Sequence, residues 1–162
     1  MSNLAHEAVA VEDYLQWVTF RLDSEVYGVN VMQVQEVLRM TDIAPVPGAP
    51  DYVLGIINLR GNVVTVLDAR KRFKLNAKEP DDASRILITE INGQVVGLLV
   101  DSVAEVINLR SSDIEASPAV GKDAGEHSRY IQGVLSREHD ILILIDLNKL
   151  LTDNELEEVA GN

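Results

Sequence analysis

The chain has 162 residues, 46% of them hydrophobic and 25% charged, which suits one compact soluble domain, or two very small ones, burying about 70% of the surface its unfolded chain exposes. The 14 Lys and Arg against 26 Asp and Glu leave a formal net charge of -12, a field that repels phosphate backbones and anionic lipid, so neither nucleic acid nor direct membrane insertion is expected. Cysteine is absent, which excludes disulfides, thiol nucleophiles and thiolate metal sites, and aromatic residues at 4% leave the core to Val, Ile and Leu, which favour strands.

Residues 1 to 13 are small, polar and acidic and read as a disordered tail. "MSNLAHEAVAVEDY" has neither the basic nor the apolar region of a signal peptide, and no run approaches the roughly 20 apolar residues of a membrane span, so a cytoplasmic protein is expected. "LQWVTFRLDSEVYGVNV" gives two strands about a turn at Asp23-Ser24-Glu25. "VMQVQEVLRM" sets Val31, Val34, Val37 and Leu38 at helical spacing and predicts a short amphipathic helix after this first hairpin. "TDIAPVPGAP" holds three of the five prolines and predicts an extended connector.

"VLGIINLRGNVVTVLDAR" follows as two strands around Gly61-Asn62. "LNAKEPDDAS" is a polar loop, and "RILITEINGQVVGLLVDSV" another hairpin, with Asn92-Gly93 supplying the positive φ of a tight primed turn. "EASPAVGKDAGEHSR" is a second long loop, "YIQGVLSREHDILILIDLNKLL" a third strand pair, and "TDNELEEVA" a short helix with Thr152 and Glu155 spaced as a capping box. The expected organisation is a tail over 1–13, a domain over 14–151, and a C-terminal acidic helix and tail over 152–162.

The halves correspond. Gly55 and Gly133 lie 78 apart, and at that offset Val53, Ile56, Val63, Val64, Val66, Leu67 and Asp68 fall on Ile131, Val134, Ile141, Leu142, Leu144, Ile145 and Asp146 without a gap. Gly28 and Gly97 lie 69 apart, and there Leu22, Val26, Val31, Val34, Glu36 and Val37 fall on Ile91, Val95, Val100, Val103, Glu105 and Val106. Each copy offers four or five short strands, about right for a small closed barrel. The expected fold is mainly β: two small barrels packed side by side.

No catalytic constellation emerges. His6 lies in the tail, and His127 and His139 lie in predicted loop or turn; no H-x-x-x-H, H-E-x-x-H or EF-hand pattern is present, so no metal and no cofactor are predicted. "VGKDAGEHS" lacks the glycine and the hydroxyl of a phosphate loop. Asp68, Asp101 and Asp146 each close an apolar run and read as strand-ending carboxylates that cap or solvate turns. What remains is Arg60, set between two apolar runs. A guanidinium cannot be deprotonated and is costly to bury alone, so it either points to water or meets a carboxylate, for which Glu36 is the candidate.

The words "VMQVQEVLR", "PDYVLGIINLRGNVVTVLDAR" and "VVGLLVDSVAEV" resemble the CheW family of bacterial chemotaxis coupling proteins, and the resemblance runs from about Tyr14 to Leu151. It implies two five-stranded SH3-like barrels and a non-enzymatic adaptor. It also implies two partners, the cytoplasmic tip of methyl-accepting chemoreceptors and the regulatory domain of the histidine kinase CheA. Glu36 of the V-x-E word and Arg60 of the N-L-R-G word are the implied functional pair. Val34, Gly55 and Asn58 occupy partner-sensitive positions of the same words, and Val103 and Val106 match second-half words tied to receptor binding, so that valines of both halves would line an apolar groove. Thr65 departs from the family, many members of which have proline there. A coupling protein of a related pathway controlling pili or development, and a small-ligand-binding barrel, stand as alternatives.

Overall fold

The computed structural model describes residues 14–115 and 129–159; the expected 1–13 tail and most of the second long loop lie outside them. The strands are β1 (Tyr14–Leu22), β2 (Glu25–Asn30), β3 (Val34–Arg39), β4 (Val53–Leu59), β5 (Asn62–Asp68), β6 (Arg85–Ile91), β7 (Gln94–Val100), β8 (Ser102–Arg110), β9 (Ile131–Ser136) and β10 (Ile141–Ile145). Helix α1 (Ala69–Arg72) follows β5 and α2 (Asp153–Val159) ends the described chain. Tight hairpins form where residues accept positive φ: Asp23 at 56°, Arg60 and Gly61 at 52° and 88°, Asn92 and Gly93 at 50° and 84°. Two successive left-handed residues match the right-handed twist of the flanking strands. Leu59 pairs with Asn62, so the β4–β5 turn is Arg60–Gly61, one residue upstream of expectation.

The strands form two five-stranded sheets, in the orders β8-β1-β2-β10-β9 and β3-β6-β7-β5-β4. Neither closes along its length. In each, the chain beyond one edge strand makes a single bridge to the other edge, Ala44 to Ile56 on β4 and Glu115 to Val134 on β9. The second sheet is built from one contiguous stretch, β3 to β7, and is termed the inserted barrel; the first takes strands from both ends of the chain and is termed the split barrel.

The internal correspondence recurs in the pairing. Gly55 faces Val66 and Val53 faces Leu67 across a bulge; Gly133 faces Leu144 and Ile131 faces Ile145 across another. Asp68 donates its N–H to the Tyr52 carbonyl and Asp146 to that of Tyr130, each at 2.8 Å. Yet the copies do not each fold into a barrel of their own, as their strand count suggested. They exchange: β1 and β2 join β8, β9 and β10, while β6 and β7 join β3, β4 and β5. The exchange is sealed by parallel pairing of Gly28 with Leu144 and Gly97 with Val66. A Cβ at Gly28 would stand 3.0 Å from the Leu144 side chain, and one at Gly97 3.2 Å from that of Val66.

One expectation is overturned. Residues 31–40 are not an amphipathic helix but a single 3₁₀ turn, Val31–Gln33, followed by β3. The Asn30 carboxamide accepts the Met32 N–H at 2.9 Å and so caps the turn. Beyond it, Val34, Glu36 and Leu38 alternate with the more exposed Gln35, Val37 and Arg39. Valines three apart fit either period over so short a run, and pairing with β6 decides for the strand. The equivalent strand β8 and the short α1 were not predicted from the sequence.

Three apolar clusters hold the fold. Ile57, Val64, Val66, Ile86, Ile88 and Leu99 fill the inserted barrel, and Trp17, Val26, Leu109, Leu142 and Leu144 the split one. The largest lies between them, with Phe20, Tyr27, Phe73 and Tyr130 in a row at successive ring distances of 5.7, 5.1 and 5.0 Å. Helix α2 seals that core through Leu156 and Val159. The expected capping box is made: Thr152 donates its N–H to Glu155 at 2.8 Å and its hydroxyl accepts the Glu155 N–H at 3.1 Å. The Thr65 hydroxyl donates to the Val159 carbonyl at 2.8 Å, tying the last turn of α2 to β5. Thr152→Ala should cost about 1 kcal/mol of stability in urea unfolding.

Candidate partner-binding site

β3 and β4 are the two edges of the inserted barrel, and Arg60 reaches from the β4–β5 turn to Glu36 on β3. The ion pair therefore spans the open seam of the sheet. It is a two-armed fork: Nη1 donates to Oε1 at 3.3 Å, and Nη2 meets Oε2. The Arg60 side chain is 69% exposed and that of Glu36 30%, so the pair is a surface device. Hydrogen bonding from Arg60 holds the Glu36 carboxyl below its ordinary range, and the same bond raises the Arg60 guanidinium.

Asn58 and Gly55 shape the strand that presents Arg60. The Asn58 side-chain oxygen accepts the Gly61 N–H at 2.9 Å, bracing the left-handed turn. Gly55, at φ 153°, lets the connector cross it: Ala44 and Ile56 exchange hydrogen bonds of 2.9 and 2.8 Å there, and a Cβ would lie 2.2 Å from the Ala44 carbonyl oxygen. Val63, 68% exposed, stands beside the turn between two clefts, one lined by Leu59, Asn62 and Val95 and the other by Ile43, Ala44 and Ile56. Nothing in the periodicity singled out Val63.

The remaining candidate residues are distributed over both barrels. Val34, on β3, and Val103, on β8, pack half-buried against the flank of the central core, while Val106 on β8 is 54% exposed, as is its counterpart Val37 on β3 at 43%. The Glu–Arg pair has an echo in the split barrel. Glu105, which corresponds to Glu36, lies 3.8 Å from Arg137, but Arg137 is held by Asp140 at 2.7 and 2.8 Å. His139 is almost fully exposed beside Glu138.

Arg70 was not predicted. It is buried and bound to Asp101 and Asp23; in the string of basic residues 70 to 72 nothing marks which one turns inward. Asp101 is pushed up by burial and pulled further down by hydrogen bonds from Arg70 and the Asp23 N–H, and Glu155 likewise by the Thr152 N–H and Arg72. Both carboxyls are therefore more acidic folded than unfolded. Their contribution is complete above the unfolded carboxylate range and is lost as pH falls toward the lower folded values, so a urea midpoint series should hold level above about pH 5 and decline below about pH 4.

The profile of the CheW-like domain matches residues 16–155. A chemotaxis protein CheW from Rhizobium meliloti (strain 1021) is 36% identical, the match covering 86% of this chain and 89% of that one. One from Treponema pallidum (strain Nichols) is 33% identical over 93% and 89%. The crystal structure of the scaffolding protein TtCheW from Thermoanaerobacter tengcongensis superposes with a TM-score of 0.77 at 35% identity, covering 87% of this chain and 90% of that one.

Proposed function

Because the chain belongs to the CheW-like family, and is a chemotaxis coupling scaffold on that ground, we propose that it joins two particular partners. These are the cytoplasmic tip of methyl-accepting chemoreceptors and the regulatory domain of the histidine kinase CheA, held so that receptor state controls kinase activity. The role is non-enzymatic, and the protein works at receptor arrays on the inner face of the membrane. No described helix is long and apolar enough to cross a bilayer; in this reading the receptors hold the protein there.

The observation that carries the reading to residues is the Glu36–Arg60 fork, an exposed charge pair in fixed geometry with Val63 beside it. Glu36 and Arg60 supply the polar contact. Asn58 and Gly55 present it, and Val34, Val103 and Val106 supply the apolar ground on which a receptor helix lays one face. The alternative of a small-ligand barrel fits poorly, because the barrel interiors are occupied by side chains such as Trp17, Leu144, Ile86 and Val66. Titrating the purified chain with a receptor-tip fragment and, separately, with the CheA regulatory domain tests the reading. Saturable binding to both is expected; binding to neither would overturn it.

A further inference from the structure

Among the described residues the chain passes between the barrels twice, from β2 to β3 through Val31–Gln33 and from β7 to β8 at Asp101. Each crossing carries a polar clamp at corresponding positions of the two copies, and the clamps differ in kind. At Asp101, Arg70 of the inserted barrel is buried, its side chain 7% exposed. Its Nε and Nη2 donate to the two Asp101 oxygens, both at 2.8 Å, and Nη1 donates to the Asn76 carbonyl at 2.6 Å. Nη2 also meets Asp23 on the β1–β2 turn of the split barrel, and the Asp23 N–H closes the ring on Asp101 at 2.9 Å. At the other crossing Asn148 stands where Arg70 does and Asn92 where Asp23 does. Asn92 donates its N–H to the Asn148 side chain at 3.0 Å and its amide to the Asn148 carbonyl at 2.9 Å, and Gln33 donates to Asn148 at 3.1 Å. These bonds are neutral and exposed. Charge-assisted hydrogen bonds are roughly twice as strong as neutral ones, and burial strengthens them further.

We propose that Arg70 is a positioning residue for coupling: with Asp101 and Asp23 it sets the angle between the barrels at one crossing, while the exposed amide clamp at the other contributes little. The proposal rests on the coupling reading above. The candidate contacts are divided between the barrels, Glu36 and Arg60 on one and Val106 on the other, so a scaffold transmits receptor state to a kinase only if that angle is held.

The chain has no cysteine, so spin labels at Arg39→Cys on β3 and Asn108→Cys on β8 report the inter-barrel distance by pulsed EPR. Three backgrounds are compared with the wild type. Asp23→Ala cuts the arm to the split barrel, Arg70→Met with Asp101→Asn removes the buried charges together so that none is stranded, and Asn148→Ala cuts the neutral clamp. The expected result is a narrow distance distribution in the wild type and Asn148→Ala and a broadened one in the other two. In those two, affinity for receptor tip and for CheA regulatory domain measured singly should stay within about twofold, while receptor-controlled kinase activity falls by about fivefold or more. Unchanged distances in both Arg70-side variants, equal broadening in Asn148→Ala, or broadened distances with undiminished kinase control would each overturn the proposal. Failure of the wild type to bind either partner would instead sink the coupling reading, and the distances would still decide whether Arg70 sets the angle.

Discussion

Gly55→Ala should lower the stability of the chain by about 3 kcal/mol or more, combining ~1–3 kcal/mol for overpacking a closed site with ~1–3 kcal/mol for a side chain in a glycine-only conformation. The backbone at Gly55 has φ 153°, and the new methyl would stand 2.2 Å from the Ala44 carbonyl oxygen and 2.7 Å from its carbon. Both are main-chain atoms, so no side chain can swing aside. Relief requires breaking the Ala44–Ile56 bridge, whose two hydrogen bonds carry the only backbone pairing across the seam of the inserted barrel among the described residues, beside the Glu36–Arg60 side-chain pair. For a chain of this size the loss corresponds to a fall of about 6–12 °C in melting temperature. Gly61→Ala is the control. Nothing lies within 4 Å of a Cβ there, and the left-handed conformation alone costs about 1–2 kcal/mol. A Gly55→Ala protein that melted with the wild type but lost partner binding would make Gly55 a contact and not a packing device.

Arg60→Ala and Glu36→Ala should melt with the wild type and lose on the order of tenfold or more in affinity for receptor tip or CheA regulatory domain, the behaviour of charges that complement a partner across an interface. The exposure of the pair leaves it screened by water in the free protein, so its removal strands no buried charge. Arg60→Lys should fall between, since an ammonium cannot form the two-armed contact that the guanidinium makes with Glu36. Urea melts and binding titrations on the same proteins decide the matter. A large stability loss would make the pair structural, and intact folding with undiminished binding to both partners would remove it from the site.

Much of this was open to reading in the residues themselves. Asn92-Gly93 could only be a tight turn, because few other pairs accept two positive φ values. Thr152 and Glu155 declared a helix start, because a capping box is satisfied within four residues. The paired glycines 55 and 133 declared the duplication, and in the structure both stand where one backbone crosses another. Arg60 between apolar runs had either to point to water or to meet a carboxylate, with Glu36 the candidate, and Glu36 meets it across the seam. All of these are local requirements, or requirements repeated in two copies, and a chain states them wherever it folds.

What the tertiary structure decided are the matters in which a segment's own pattern is neutral. Val34, Val37 and Leu38 fit a helix as well as a strand, and the free edge of β6 chose between them. The strand β8 took the matching place beside β1. Which copy's hairpin completes which sheet depends on parallel pairs far apart in the chain, Gly28 with Leu144 and Gly97 with Val66, where the bare glycine backbone makes room for the Leu144 and Val66 side chains only after both copies are present. Arg70 is buried for the same reason: Asp23 and Asp101 come together at the point where the chain crosses between barrels, and that point exists only in the exchanged fold. Turns, caps and the duplication are thus set by the sequence alone, whereas strand choice, strand exchange and the buried ion cluster are set by contacts between distant segments, whose energies no local pattern contains.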